Sequence, residues 1–284
     1  MKKLFIPIIF LFASTASFAI EAFNVKISGQ GPDIILIPGL SSSGEVWDST
    51  VSQLKHKYRL HVFTLAGFAG QPTKVVDHFL PTMRDSIIRY IKQNNLITPV
   101  IIGHSIGGFL GLQISIKEPK IASKLIVVDA FPFWAAVMLP GSTETTVVPM
   151  ASNMKNQMQK QTDEQYKKMA PRMLSSLVSS AKDVQTLLKW GLKTDRRVAG
   201  EAMYELLTTD LRQQISRINI PTLVLGSWVA QKNYGVTHEM QLANFKKQYS
   251  RLKAVKILLS DKSRHFIMYD DPAFFFKAIN DFLQ

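Results

Sequence analysis

The chain has 284 residues, is 46% hydrophobic, contains no cysteine and carries a formal net charge of +13. That length and apolar content suffice for one large α/β core with an insertion, and the lack of cysteine excludes disulfide frameworks and thiolate chemistry. The basic excess suits contact with an anionic surface such as lipid headgroups. The cations are scattered, however (Lys155, Lys160, Lys167, Lys168, Arg172, Arg196, Arg197, Lys246, Lys247), with no recognisable nucleic-acid module, so nucleic acid is not expected as a partner.

Lys2 and Lys3 precede an apolar run from Leu4 to Phe12 and a small-residue stretch from Ala13 to Ala19. This order is expected of a signal peptide over residues 1–19, with Ser17 and Ala19 at the −3 and −1 positions and an exported product, periplasmic or secreted. The apolar core is too short to span a bilayer, and no later segment reaches the required length of about 20 apolar residues.

Strand-like runs follow at residues 23–28, 33–38, 59–65, 99–103, 124–129, 221–226 and 254–260, with helical patterns at 46–56, 77–94, 107–117, 237–249 and 272–283. Stretches such as DIILI, PVII, LIVV and TLVL are continuously apolar, as expected of parallel strands covered by helices on both faces. Such alternation predicts a doubly wound α/β domain.

One stretch breaks this rhythm. Residues 131–219 contain a single brief strand-like pair, Val147-Val148, and otherwise helical patterns rich in methionine and leucine. So long a segment between two sheet strands predicts a helical insertion over one end of the sheet, dividing the core into residues 20–130 and 220–284. Met150, Met154 and Met158 share one helix face, either as packing residues or as the lining of an adaptable apolar pocket. Residues 143–146 read as a loop or hinge.

Between a β-branched strand and a helical pattern stands Gly103-His104-Ser105-Ile106-Gly107, a G-x-S-x-G nucleophile elbow in its proper setting. The strained turn exposes the Ser105 hydroxyl and leaves the next backbone N–H free for an oxyanion. The two glycines are expected because neighbouring chain passes too close for a Cβ.

A serine hydroxyl needs a base to become a nucleophile. Of the six histidines, His104 lies inside the elbow and reads as packing, its side chain turned from the serine's pocket; His56, His61 and His78 read as helix or strand surface. His265 lies in the loop after the last strand, at the carboxyl edge of a parallel sheet, where the elbow also lies.

Together these residues resemble the α/β-hydrolase superfamily over nearly all of the chain beyond the leader. The resemblance is carried by Ile37-Pro38-Gly39-Leu40-Ser41-Ser42 after an early strand, followed by Trp47; by the elbow with the extra Gly108; by residues 221–226; and by His265-Phe266-Ile267-Met268 ahead of Asp271-Pro272. It implies the α/β-hydrolase fold, a mostly parallel sheet flanked by helices, with a helical lid inserted after the sixth-type strand. It also implies a serine hydrolase acting on carboxylic esters through an acyl-enzyme on Ser105, with His265 as general base. Leu40 and Ile106 would supply the oxyanion N–H groups, with Pro38 where the family usually has histidine.

The acid is less plainly marked. The family most often carries it after the penultimate strand, but residues 226–233 offer no carboxylate. Some members place it one strand earlier, where Asp129 ends the run LIVV; Asp261 competes by nearness to His265, and Asp210 reads as a helix cap. Phe131, Trp134 and Trp228 are expected to touch the substrate, a small-molecule ester with an apolar acyl or alcohol part. Neither a metal cluster nor a phosphate-binding G-x-G-x-x-G is visible, so no cofactor is expected. Other chemistries on this scaffold (aminopeptidase, cofactor-free peroxidase, carbon–carbon hydrolase) and an inactive binding protein remain as alternatives.

Overall fold

A computed structural model describes residues 22–74 and 76–284. The signal-peptide expectation, residues 1–19, lies outside the described residues.

The first half of the chain forms β1 (Phe23–Ser28), β2 (Asp33–Ile37), α1 (Asp48–Leu54), β3 (Arg59–Leu65), α2 (Phe79–Gln93), β4 (Val100–His104), α3 (Ile106–Lys117) and β5 (Lys124–Val128). Five helices intervene: α4 (Ala135–Met138), α5 (Val148–Lys160), α6 (Asp163–Leu177), α7 (Ala181–Leu192) and α8 (Arg196–Thr208). The core then resumes with β6 (Thr222–Gly226), α9 (His238–Gln248), β7 (Val255–Leu259), α10 (Ile267–Asp270) and α11 (Pro272–Leu283). All seven strands stand where the apolar runs predict them.

They form one sheet in the order β1-β3-β2-β4-β5-β6-β7, with β1 antiparallel to β3 and every other pair parallel. Alternate residues feed two cores. Ile35, Ile37, Ile101, Leu125 and Val127 face the side holding α2 and α3. Ile34, Leu36, Ile102, Ile126 and Val128 face the side packed by α1 and α11. This two-sided burial is why the central strands are apolar at every position. The edge strand β1 alternates half-buried with exposed residues from Phe23 to Lys26, and Ile27 is exposed as well. Gly103 pairs with Val127 and Val128 with Leu225, so β4, β5 and β6 end side by side.

Between β5 and β6 the chain runs through the helices α4 to α8. Val147-Val148 is not a strand: Val147 caps α5 and Val148 opens it, with Pro149 in the first turn, where a missing N–H costs nothing. The Thr143, Thr145 and Thr146 side chains bond to one another and to the local backbone in a tight turn. Met150 and Met154 pack against Phe133, Ala151 and Leu207, as ordinary core residues do.

A second correction concerns His61. It is not a surface residue but 1% exposed, because β3 lies inside the sheet between β1 and β2. Its Nε2 meets Asp33 Oδ1 at 2.9 Å and its Nδ1 meets the Tyr90 hydroxyl at 2.7 Å. His56 and His78 are exposed, as expected.

Candidate active site

Ser105 sits between β4 and α3 with φ 54° and ψ −122°, a region that a non-glycine residue occupies at a cost of about 1–3 kcal/mol. The surroundings impose it. The Ser105 N–H donates to the Val128 carbonyl at 2.8 Å, and its own carbonyl accepts the Phe109 N–H at 3.0 Å. A Cβ on Gly103 would stand 2.2 Å from the Gly107 oxygen, and one on Gly107 would stand 2.3 Å from the Ile37 oxygen. Both motif glycines are therefore fixed by close backbone approach.

The loop after β2 runs directly beside the elbow. A Cβ on Gly39 would lie 3.3 Å from the Ser105 Cβ. Leu40 follows, half-buried, and its N–H has no partner among the described residues. Ile106 is the first residue of α3, so its N–H has no acceptor within the helix. These are the two donors expected of an oxyanion hole.

Asp129 follows β5 at φ 48°, its N–H donating to the Leu225 carbonyl at 2.7 Å. His265 Nδ1 lies 2.6 Å from Asp129 Oδ2. The structure thus brings together the serine strand end, the early acid position and the C-terminal histidine. Asp261 is not part of this group: its side chain is 82% exposed and meets His238 at 3.5 Å. Asp210 is not the helix cap expected: it accepts the Arg212 N–H at 2.9 Å and pairs with its guanidinium in a turn, because the next helical turn starts only at Gln214 with Gln213 before it.

Ser227, at the end of β6, donates its N–H to Asp129 Oδ1 and its hydroxyl to Asp129 Oδ2, both at 2.8 Å. Nothing in the local pattern marks this residue. The signal for it is indirect, a buried hydroxyl at the strand end where a carboxylate is usual.

The histidine loop is anchored on both sides. Ser260 Oγ donates to Asp271 Oδ2 at 2.8 Å and accepts the Ser263 N–H at 3.0 Å. Asp270 receives the Arg264 N–H at 2.9 Å and, through its other oxygen, the Ser179 N–H at 2.8 Å. The Phe266 N–H donates to the Leu177 carbonyl at 3.1 Å. His265 is therefore tied to the end of α6 as well as to the core. Beneath it His104 is fully buried, with its ring centroid 4.6 Å from that of His265 and its Nε2 3.1 Å from the His265 carbonyl. Burial, and secondarily His265 itself, holds the His104 imidazole well below its ordinary pKa. It is a neutral packing residue that donates to that carbonyl.

The three expected substrate contacts are less uniform. Phe131 stacks on Phe245 with centroids 4.2 Å apart, and Trp134 packs against both the main core and the α5–α8 core. Trp228 meets His238 edge-on at 5.8 Å, its indole N–H buried without a partner. A chamber of about 40 Å³ is lined by Ser41, Met158, Tyr166, Thr194 and Arg196 among others, and by none of Ser105, Asp129 or His265. A larger cleft, about 530 Å³, is lined by α2, α3 and α8 residues including Arg84, Gln113 and Glu205, and contains none of Ser105, Asp129 or His265. Among the described residues no group of three or more His, Asp or Glu is placed to hold a metal ion.

A serine on a strained elbow, a histidine paired to a carboxylate and two N–H groups without partners among the described residues thus lie toward the carboxyl edge of the parallel sheet. Residues 34–278 match the model of the alpha/beta hydrolase family, and the chain belongs to that family. It is similar to the pimeloyl-[acyl-carrier protein] methyl ester esterase of Aeromonas salmonicida, 30% identical over 209 residues that cover 70% of this chain and 78% of the relative. Among solved structures it resembles the enol-lactonase from Burkholderia xenovorans, with a TM-score of 0.74 at 15% identity over 92% of this chain and 96% of that one. A thermophilic esterase from Thermogutta terrifontis gives 0.74 at 17% identity, covering 92% of each chain.

Proposed function

We propose that this protein hydrolyses carboxylic esters through an acyl-enzyme on Ser105. The observation that carries the reading is the 2.6 Å contact between His265 Nδ1 and Asp129 Oδ2. With Nδ1–H donated to the carboxylate, Nε2 is the basic nitrogen. It takes the Ser105 proton as Oγ attacks the acyl carbon, and the oxyanion forms against the N–H groups of Leu40 and Ile106. The C–O bond to the alcohol then breaks and the imidazolium returns its proton to the departing oxygen. Water repeats the sequence, releasing a carboxylic acid and regenerating Ser105. The relatives named as esterases support this chemistry, and the carboxylate on His265 weighs against an inactive binding protein.

The chamber beside Ser41, about 40 Å³, is far below the several hundred Å³ of an ordinary ligand pocket. None of Ser105, Asp129 and His265 lines it, so its volume sets no limit on acyl length; the α5–α8 segment is the candidate lid. Its outer face supports peripheral contact with anionic lipid: Met169 and Met173 are 63% and 50% exposed on α6, beside Lys167, Lys168 and Arg172.

The test is a series of p-nitrophenyl esters of increasing acyl length. The expected result is hydrolysis of at least part of the series, lost in Ser105→Ala; no hydrolysis across the whole series contradicts the reading.

A further inference from the structure

We infer that Ser227 is a positioning residue for the acid, acting through Asp129 rather than on substrate; this role rests on the acyl-transfer reading above. Three donors converge on the Asp129 carboxylate. The Ser227 N–H takes Oδ1 at 2.8 Å, while the Ser227 hydroxyl and His265 Nδ1 share Oδ2 at 2.8 and 2.6 Å. The two serine donors grip both oxygens, which fixes the rotation of the carboxylate and turns one remaining lone pair of Oδ2 toward the imidazole.

The Asp129 backbone is fixed at φ 48° by its N–H bond to the Leu225 carbonyl at 2.7 Å, which leaves the rotation of the carboxylate to be set by its side-chain partners. Ser227 itself is well placed to set it. It is 6% exposed, and it directly follows Gly226, whose carbonyl accepts the Ser260 N–H at 3.0 Å. Its own carbonyl accepts the Gln241 Nε2–H at 3.1 Å. The β6 terminus, where a carboxylate is usual and missing here, thus carries the clamp while the acid stands on β5. In this chain the two strand ends divide one task, the acid on one and its clamp on the other.

Charge-assisted hydrogen bonds of this kind are among the stronger ones, and losing an orienting donor loosens the imidazole that it steadies at second hand. Ser227→Ala is expected to lower both kcat on p-nitrophenyl butyrate and the rate of Ser105 phosphonylation by a fluorophosphonate, by about tenfold or more, with KM within about twofold. Ser227→Thr, which keeps the hydroxyl, is expected to recover most of the loss. In an Asp129→Asn background the same Ser227→Ala change is expected to cost nothing further, because the group it positions is gone.

Three outcomes would overturn the role. Ser227→Ala could label at the parent rate, Ser227→Thr could fail to recover activity in a folded protein, or Ser227→Ala could cost the same factor in both backgrounds, which is what a merely structural residue would do. Ser227→Cys, similar in size with a weaker donor, carries the same comparison if the alanine variant does not fold. A parent protein that does not label at all overturns the hydrolase reading and this role with it, whereas a labelled parent with an unaffected Ser227→Ala overturns this role alone.

Discussion

Asp129 and His265 are 136 positions apart in the chain, and their side chains close to 2.6 Å. The register Val128 to Leu225 sets one strand end beside the next, and the loop after β7 delivers the imidazole across them. Removing the acid's charge while keeping its shape tests this pairing. Asp129→Asn is expected to lower kcat by roughly 10³–10⁴-fold with KM little changed, and Asp261→Asn to leave both within about twofold. Steady-state kinetics on a single p-nitrophenyl ester separates the two.

The elbow stands on contact between backbones. A methyl group at Gly107 would meet the Ile37 oxygen at 2.3 Å and the Pro38 oxygen at 2.6 Å, atoms that cannot move without displacing β2 and the oxyanion loop. Gly107→Ala is expected to cost about 3 kcal/mol or more and to misplace the donors that flank Ser105. Urea unfolding and phosphonylation of the remaining folded fraction report the two effects separately.

Glu205 links α8 to the start of α2, where its Oε2 accepts the Leu80 N–H at 2.6 Å. Burial raises its pKa from 4.5 to about 6; Glu201 adds to the rise, while the Leu80 and Phe79 N–H groups and His78 oppose it. The folded protein therefore binds this proton more readily than the unfolded chain does. Stability from this group is fully present below pH 4.5 and declines as pH rises toward about 6, a loss of about 1 kcal/mol when complete once solvent screening of the partly exposed carboxylate is allowed for. Glu205→Gln is expected to stabilise the protein by about 1 kcal/mol at pH 8, with no gain at pH 4. Urea midpoints at the two pH values check it.

His61 is a structural residue. Held by Asp33 and Tyr90 and 1% exposed, it leaves a void when truncated and takes a partner from the Tyr90 hydroxyl, while Asp33 keeps its bonds from Arg59. His61→Ala is expected to cost about 2–4 kcal/mol without slowing Ser105 phosphonylation, since β3 stands away from the elbow. Thermal unfolding and labelling kinetics on the same sample decide it.

The strands and the site differ in how much of each was legible. A parallel strand buried on both faces must be apolar at every position, so DIILI, PVII, LIVV and TLVL announce themselves, and strand order then decides which ends are neighbours. Ser105 was legible from its glycines and His265 from its place after the last strand. Asp129 needed the choice between two loops that only the fold makes, because an aspartate at a strand end looks alike in either role. Ser227 and His61 were not legible, since each owes its importance to a partner on a different strand. The Val147-Val148 pair shows the converse: two β-branched residues followed by proline started a helix, because the polar pattern after them had helical period and no neighbouring strand was available.

The central claim is that Ser105 is a nucleophile activated by His265. Intact-protein and peptide mass spectrometry after treatment with a fluorophosphonate tests it most directly. The expected result is one phosphonyl adduct, on Ser105, absent from Ser105→Ala and formed at least 10²-fold more slowly in His265→Ala, on the order of the loss of a general base. An adduct on a different residue, or full labelling of Ser105→Ala, would contradict the account.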